Sequence, residues 1–544
     1  MGTWKEAISK RWFVNTCVAA LLAILFAELL LTASRDSMSV DEGNHIYSGY
    51  MMWKRADFGL NPEHPPLVKL LAALPLLAMD LKAPEPGSVY YKLDAYLGGR
   101  EFLSGANKGV ILFRARVMVS LLAVLLAALV FAATREMFGL GAGFLALVLA
   151  VFDPNLVGFG SLVTTDVGVS CFLLASIYCF YRYVKAPSLP RLLLAGLTTG
   201  LALTAKHNGM FVVPIQVLLV LSEFIRNWAS KSGPRGNQWR ASARLAGALV
   251  AVFAISLGVL WSMYGFRYSA REKGFALTPP LPVFTTPLKP YEAGAILTLA
   301  RWKAVPESYL AGAADVRTVG EHYPSFILGA IHRHGVWFYF PIVLTIKCTE
   351  ALLALMLIAA VAVVVRGLYR TREFLFLFVP LAFILAIAMA AHLNTGVRHI
   401  MPVYAFLWPL TAGAASTLLR GRWAIAMVVA ALLHATSSLA TFNSHIAYAN
   451  AFWGGPDNVH NLLTDSNADW GQQLYAVKDY LEEHRIRKCW FAYIGEGIPT
   501  HASYWGIPCT PMPNLDGPMI PPMPVIPAEI DGPVLISADE LSGY

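Results

Sequence analysis

Long apolar runs, separated by short polar connections, make up most of this chain. A helix needs about 20 apolar residues to cross the hydrocarbon core of a bilayer, where lipid offers no partner to an unpaired backbone amide. By that measure we predict about eleven transmembrane helices, near residues 12–33, 112–134, 140–159, 167–184, 191–205, 209–225, 244–264, 337–365, 374–391, 399–418 and 423–442.

One further apolar run, from Pro66 to Met79, is shorter and contains Pro75. A short run interrupted by proline does not favour a complete crossing, so we expect a surface or re-entrant helix here. The predicted fold class is therefore an all-α polytopic membrane protein. Its transmembrane domain covers residues 1–442, with outer loops at residues 34–111 and 265–335.

The apolar runs end near residue 442, and the sequence changes character after that point. A helical stretch, Gln472 to His484, precedes a strand-like stretch, Cys489 to Ile494, which predicts a small α/β domain over residues 443–544. A strand-like run near the last residue leaves open whether this domain is complete. Cys489 and Cys509 share the domain, and the sequence leaves open whether they form a disulfide.

Composition supports a membrane location. The chain has 544 residues, of which 56% are hydrophobic and 14% charged, with a mean hydropathy of +0.54. Soluble domains are about a quarter charged. The net charge is +8, and loop lysines and arginines that face anionic lipid account for it, so no nucleic-acid partner is implied.

Basic residues in alternate connections indicate the orientation, because short cytoplasmic loops collect lysine and arginine. With this number of crossings, the basic connections all fall on the side of the N-terminus. We therefore expect a cytoplasmic N-terminus in a plasma (bacterial inner) membrane, with residues 443–544 outside. The basic residues are Lys5, Lys10, Arg11, Arg135, Arg182, Lys185, Arg191, Arg226, Lys231, Arg235, Arg240, Arg244, Arg366, Arg370, Arg372, Arg420 and Arg422.

Acidic residues and histidines collect on the opposite, outer side. Asp41 and Glu42 follow the first predicted span, and Glu63 and His64 precede a Pro-Pro-Leu sequence in the same outer loop. Ionisable groups at a bilayer are costly unless they are solvated or paired, so they mark sites more often than in soluble proteins. We predict an active site at the outer membrane surface.

Two further outer connections carry charge. Asp166 opens the fourth predicted span, where it can also serve simply as a helix cap. Lys206 and His207 lie in the turn between the fifth and sixth spans, and Arg398 and His399 precede the tenth. Cations on this side suit a phosphate, which arginine binds through two hydrogen bonds. The alternatives are a lysine that extends to the interface and an arginine paired with a lipid headgroup.

Together these motifs resemble the polyprenyl-phosphate-dependent glycosyltransferases of the GT-C superfamily. The resemblance covers roughly residues 10–440 and is strongest to glycosyltransferase family 39, the protein O-mannosyltransferases, and to the aminoarabinose transferases of lipid A. It implies that Asp41 is the catalytic base, and that the remaining residues bind substrate: Glu42, Glu63, His64, Asp166, Lys206, His207, Arg398 and His399. Where the aminoarabinose transferases carry a lysine, this chain has His64, which is only partly charged near neutral pH.

The chemistry expected of such an enzyme is transfer of a sugar from a polyprenyl-phosphate donor to an acceptor hydroxyl, with inversion. A base must take the proton of the hydroxyl, and cations must hold the charge of the departing phosphate. The acceptor can be a glycan, a lipid or a protein, and a divalent metal remains an option without a fixed ligand pattern. A lipid or glycan transporter (a flippase) and a non-catalytic assembly protein are the alternative functions.

Overall fold

The computed structural model describes residues 2–87, 90–105, 107–229, 235–272, 275–320, 323–493, 505–512 and 529–543, with side chains omitted at 2–10 and 235–237. Lys5, Lys10 and Arg235 are therefore described by backbone alone. Lys231 and Ile494, which the sequence predictions also used, lie outside the described residues.

The first half of the chain is helical almost throughout. Two long helices, α1 and α5, flank an outer loop region that contains three shorter ones. The helices are α1 Gly2–Arg35, α2 Glu42–Arg55, α3 Pro66–Ala73, α4 Tyr91–Phe102, α5 Lys108–Phe138, α6 Leu140–Val151, α7 Pro154–Gly160, α8 Thr165–Lys185, α9 Leu189–Ala205, α10 Val212–Ala229 and α11 Arg235–Met263.

The second half begins with a long outer connection that forms three helices and a small hairpin. Five further helices and the tail follow. The elements are α12 Leu281–Thr285, α13 Pro290–Arg301, α14 Glu307–Val319, β1 Ser325–Ile327, β2 Ala330–His332, α15 Tyr339–Lys347, α16 Glu350–Val365, α17 Arg372–Ala390, α18 Met401–Ala415, α19 Ala424–Leu439, α20 Leu474–Glu483, β3 Trp490–Ala492, β4 Thr510–Pro511, β5 Val534–Ile536 and α21 Ala538–Leu541.

The predicted count of about eleven spans is not confirmed, although every predicted span contains a helix. By length and composition, 7 helices in the described part of the chain can cross a membrane, or 9 if each of two bent pairs is one span. Helices α6 and α7 meet at 55°, and α15 and α16 meet at 117°. The sequence missed these bends because hydropathy does not record a change of direction.

Helix starts explain the bends. Asp153 begins α7 by accepting hydrogen bonds from the backbone amides of Asn155 and Leu156, at 2.9 and 3.2 Å. Thr349 does the same for α16 through the amide of Leu352, at 3.2 Å. A side-chain oxygen at this position satisfies amides that have no partner within the helix, so a new helix starts in a new direction.

The Pro66 to Met79 run is a short helix, as predicted. Helix α3 continues into a 3-10 turn over Leu74–Ala78, and together they are too short to count among the candidate spans. Helix α8 lies at the centre of the bundle, where it packs against α5, α9 and α18 and is buried over nearly its whole length. The outer ends of these central helices carry the polar residues of the site.

The tail contains the predicted small α/β unit. Strands β4, β3 and β5 form a parallel sheet in that order, with Trp490 paired to Thr510 and to Val534. A disulfide joins Cys489 to Cys509, which answers the question that the sequence left open. Before α20 the tail bonds to the loops that precede α2 and α18, which brings it close to the candidate site.

Candidate active site

A large cavity of about 1570 Å³ lies at the helix ends that carry the predicted residues. Helices α4, α13 and α14 form one side of it, and helices α10, α11 and α17 form another. Asp41, Glu63, Lys206 and Arg398 lie on its polar wall. The connection over residues 265–335, which the sequence predicts as an outer loop, therefore contributes one wall of the cavity.

An ion pair joins two of the predicted residues across 357 positions of sequence. Arg398 Nη1 donates to Asp41 Oδ2 over 3.0 Å, and the two side chains are 13% and 16% exposed, respectively. Asp41 lies directly before α2, where its side chain makes no capping hydrogen bond, and is therefore available to the cavity. Arg398 lies in a 3-10 turn, Val397–Ile400, that leads into α18.

A second ion pair joins Lys206 and Asp166. Lys206 Nζ donates to Asp166 Oδ1 over 2.6 Å. Lys206 lines the cavity, whereas Asp166 is 1% exposed and lies behind it. The residue at the cap position of α8 is Thr164, whose side chain makes no capping hydrogen bond. Asp166 thus holds the lysine at the cavity wall and leaves the ammonium open to a ligand.

Glu63 lies on the same cavity wall and has an unusual environment. The pKa of its carboxyl is raised to about 7, mainly by burial, with a lowering contribution from Lys92 and a raising one from the neighbouring Asp315. Its Oε2 atom has no hydrogen-bond partner among the described residues. Lys92 and Asp315 form their own ion pair at 2.9 Å and also line the cavity. Glu63 can therefore exchange a proton near neutral pH.

Three predicted histidines line the cavity, and two lie outside the candidate spans. Burial lowers the pKa of His64 and of His399, and nearby cations lower both further. His64 Nδ1 lies 3.1 Å from Thr165 Oγ1, and His399 Nε2 lies 2.9 Å from Thr395 Oγ1. Both rings are therefore neutral at pH 7, so they can share hydrogen bonds with a ligand but cannot neutralise a phosphate.

The third histidine, His207, is held in place by Pro62 and Tyr309. Its Nε2 atom lies 3.0 Å from the carbonyl oxygen of Pro62, and its ring packs against Tyr309 with centroids 4.9 Å apart. A Cβ added at Gly312 would lie 1.7 Å from that same oxygen. Only glycine therefore lets α14 approach the loop that carries Glu63.

Glu42 contacts only residues that lie behind the cavity wall. It is fully buried and does not line the cavity. Its carboxylate accepts hydrogen bonds from Arg116 Nε at 2.8 Å and Nη2 at 2.6 Å, and from the amides of Val163 and Ser39. These contacts fix the start of α2, directly beside Asp41. Binding of substrate by Glu42 stays a prediction that these contacts do not favour.

Sequence reasoning missed several residues of the site. Arg116 is a charge inside an apolar span, and that signal alone marks it as paired or functional. Lys92, Asp315 and Tyr96 gave no signal, because charged and aromatic residues are common in outer loops. Asn208 follows His207 in the same turn and also lines the cavity.

The structure thus brings the predicted residues together at one cavity, with Glu42 and Asp166 directly behind its wall. Within the described part of the chain, no three His, Cys, Asp or Glu side chains cluster in a way that could hold a metal ion. Ion pairs and histidines contribute to the polar wall of the cavity.

Comparisons with known proteins fit this geometry. Residues 108–261 match the family model described as dolichyl-phosphate-mannose-protein mannosyltransferase. The structure is similar to ArnT from Cupriavidus metallidurans in the apo state, with a TM-score of 0.50 and 16% identity over 91% of this chain and 76% of that chain. The chain therefore has the fold of ArnT. The resemblance predicted from the sequence is confirmed at the level of the fold.

Two further structures are similar to a lesser degree. ArnT from the same organism bound to undecaprenyl phosphate has a TM-score of 0.48 and 16% identity over 91% of this chain and 76% of that chain. The archaeal oligosaccharyltransferase AglB from Archaeoglobus fulgidus has a TM-score of 0.47 and 14% identity over 79% of this chain and 56% of that chain. No curated protein sequence matches this chain.

Proposed function

We propose that this protein is an inverting glycosyltransferase, which moves a sugar from a polyprenyl-phosphate donor to an acceptor hydroxyl. The observation that carries this proposal is the cavity itself. It combines a carboxylate paired with arginine, Asp41 and Arg398, with a second cation, Lys206, beside a long apolar wall. A lipid-linked phosphate needs cations for its phosphate group and an apolar surface for its lipid chain.

The apolar wall suits the lipid part of the donor. It is formed by α10, α11 and α17, with side chains such as Val213, Leu257 and Ile387. Leu257 and Ile387 are 41% and 39% exposed, so this wall of the cavity is open to a ligand. A chain that lies in the bilayer can therefore reach the cavity from the side. ArnT, which shares this fold, has been crystallised with undecaprenyl phosphate.

The reaction is a single displacement. The acceptor oxygen attacks the anomeric carbon, its proton passes to Asp41, and the bond from that carbon to the phosphate oxygen breaks. The electron pair leaves with the phosphate, and Arg398 and Lys206 hold the resulting negative charge. The ion pair with Arg398 requires Asp41 to be a carboxylate, which is the form that accepts a proton.

The remaining residues fall into two groups. Glu63, His64, His207 and His399 line the cavity, where they can orient sugar hydroxyls or the acceptor through hydrogen bonds. Glu42 and Asp166 lie behind the wall and hold their neighbours in place. A divalent metal is not needed for this scheme, because the cations of the chain supply the positive charge.

The same proposal places the site on the extracytoplasmic side of a plasma membrane. The chain is an integral membrane protein, and its basic connections lie at the ends of the helices opposite to the cavity, as the loop between α16 and α17 illustrates. We assign the catalytic domain to residues 1–442 and an extracytoplasmic domain to residues 443–544, with a sugar-carrying lipid, an acceptor and membrane lipid as partners.

The proposal is tested by Asp41→Asn. This change removes the base but keeps the size of the side chain, so transfer should fall by at least about 100-fold while undecaprenyl phosphate still binds. Mass spectrometry of the lipid and protein fractions of expressing cells would show the loss of one sugar unit.

Asp80→Asn, at an exposed position outside the cavity, is the matched control and should leave transfer unchanged. Unchanged lipid and protein fractions in cells that express or lack the wild-type chain would contradict the proposal. A transporter would move its lipid across the membrane without changing either fraction, so this outcome would favour that alternative.

A further inference from the structure

A segment of the tail, residues 464–474, runs between the two loops that carry the ion pair of the cavity. We call this segment the strap. On one side its backbone is bonded to the loop before α2. Ser37 N donates to Gln472 O over 2.9 Å, and Val40 N donates to Trp470 O over 3.1 Å. The strap is therefore attached directly beside the proposed base.

On the other side the strap is attached to the loop before α18. Val397 N donates to Asn467 Oδ1 over 2.9 Å, and Ser466 Oγ donates to the carbonyl of Thr395 over 3.1 Å. A Cβ added at Gly396 would lie 2.0 Å from Ser466 Oγ. A larger residue at this position would push the serine hydroxyl out of its hydrogen bonds with Thr395 and Arg398.

Two strap side chains hold the guanidinium of Arg398 itself. Arg398 Nε donates to Ser466 Oγ over 3.1 Å, and the guanidinium carbon lies 4.1 Å from the centre of the Trp470 ring. Trp470 is 3% exposed, so this ring is held rigidly. With Asp41 at Nη1, the arginine is fixed on three sides.

From these contacts we infer that Ser466 and Trp470 are positioning residues of the active site, which hold Arg398 in the orientation that binds the donor phosphate. An arginine side chain has several rotatable bonds, and its planar guanidinium can form two hydrogen bonds to a phosphate in only one orientation. The tryptophan face and the serine hydroxyl fix that orientation before the ligand arrives, so less entropy is lost on binding. The tail is then part of the active site rather than a separate appendage.

This inference rests on the proposed function, because it assigns Arg398 to the phosphate. The test is a double-mutant cycle on the full chain in lipid nanodiscs, with undecaprenyl phosphate as the probe in an equilibrium titration. Trp470→Leu should weaken binding about tenfold, and Ser466→Ala about threefold. Trp470→Phe keeps an aromatic face and should recover most of the lost affinity.

The decisive arm repeats these changes in an Arg398→Ala background. If the strap acts through Arg398, Trp470→Leu should weaken binding less than about twofold there. Equal effects in both backgrounds would overturn the inference and leave the proposed function intact. No loss of affinity on Arg398→Ala alone would also overturn it.

If the wild-type chain does not bind undecaprenyl phosphate, the proposed function fails, and the inference fails with it. Trp490→Leu is the matched control, because Trp490 lies in β3 and its indole donates to the carbonyl of Asp531. It should leave the affinity unchanged. Each variant is checked for its melting temperature, and Ser466→Ala, the smallest change, keeps the test informative if Trp470→Leu does not fold.

Discussion

At the scale of single residues, burial decides which groups of the site carry charge. His64 and His399 are kept neutral because a charged ring would lose its hydration and face nearby cations. Glu63 is affected in the opposite sense, since burial raises the pKa of an acid. The positive charge beside the predicted residues therefore comes from lysine and arginine, and Arg398, Lys206 and Lys92 are each paired with a carboxylate.

Glu63 gives a prediction about pH and stability. Its pKa is about 7 in the folded protein and close to the ordinary value of 4.5 when unfolded. Between these values the folded state keeps the proton that the unfolded state releases, so this contribution to stability is complete below pH 4.5 and is lost as the pH rises to about 7.

Glu63→Gln cannot titrate. The variant should therefore gain stability relative to the wild type across this window, by about 1–3 kcal/mol, in melting curves measured at several pH values. Glu101→Gln, at an exposed position on α4, serves as the control. A constant difference between Glu63→Gln and the wild type at all pH values would contradict this account.

At the scale of elements, one buried ion pair holds the site's helices together. Arg116 on α5 contacts Glu42 at the start of α2. It also donates to the carbonyls of Ala33, in the last turn of α1, and of Asp36 and Ser37, just after α1. Both side chains of the ion pair are fully buried. The guanidinium of Arg116 therefore joins α1, α2 and α5, and its partner Glu42 is the sequence neighbour of Asp41.

Loss of this contact should destabilise the protein strongly. Glu42→Ala leaves the buried guanidinium without its counter-charge, and we expect a loss of about 3–5 kcal/mol. Thermal unfolding of the detergent-purified protein measures this loss. Glu101→Ala removes an exposed carboxylate on α4 and should cost little. Equal melting temperatures for the two variants would show that Glu42 has no structural role.

At the scale of the whole molecule, the cavity exists only because distant parts of the chain meet. The first outer loop supplies Asp41, the turn after α9 supplies Lys206, the loop before α18 supplies Arg398, and the tail supplies Trp470. Because the tail contacts Arg398, the tail and the cavity lie on the same side of the membrane, which we propose is the outside of the cell.

Labelling of introduced cysteines tests this orientation. Glu483→Cys, on α20 in the tail, should react with a membrane-impermeant maleimide in intact cells stripped of their wall. Arg370→Cys, in the loop between α16 and α17, should react only after the membrane is opened, because that loop is basic and expected to be cytoplasmic. The wild-type chain measures background labelling. Reaction of Arg370→Cys in sealed cells would reverse the proposed topology.

The sequence by itself determined the membrane class, the approximate helices, and several of the charged groups on the cavity wall. Hydropathy reports burial in lipid, and a charge beside an apolar span is conspicuous, so Asp41, Lys206 and Arg398 could be found without a structure. The small α/β unit of the tail was also evident from its change of pattern.

Only the tertiary structure decided the bends of α6–α7 and α15–α16, the partner of each charge, and the role of the tail. Hydropathy does not depend on direction, so it could not separate a bent pair from a straight span. Ser466 and Trp470 are ordinary in sequence, since a serine hydroxyl or an indole ring gains a role only from what it touches. The contact between Trp470 and Arg398 joins positions 72 residues apart, and only folding brings them together.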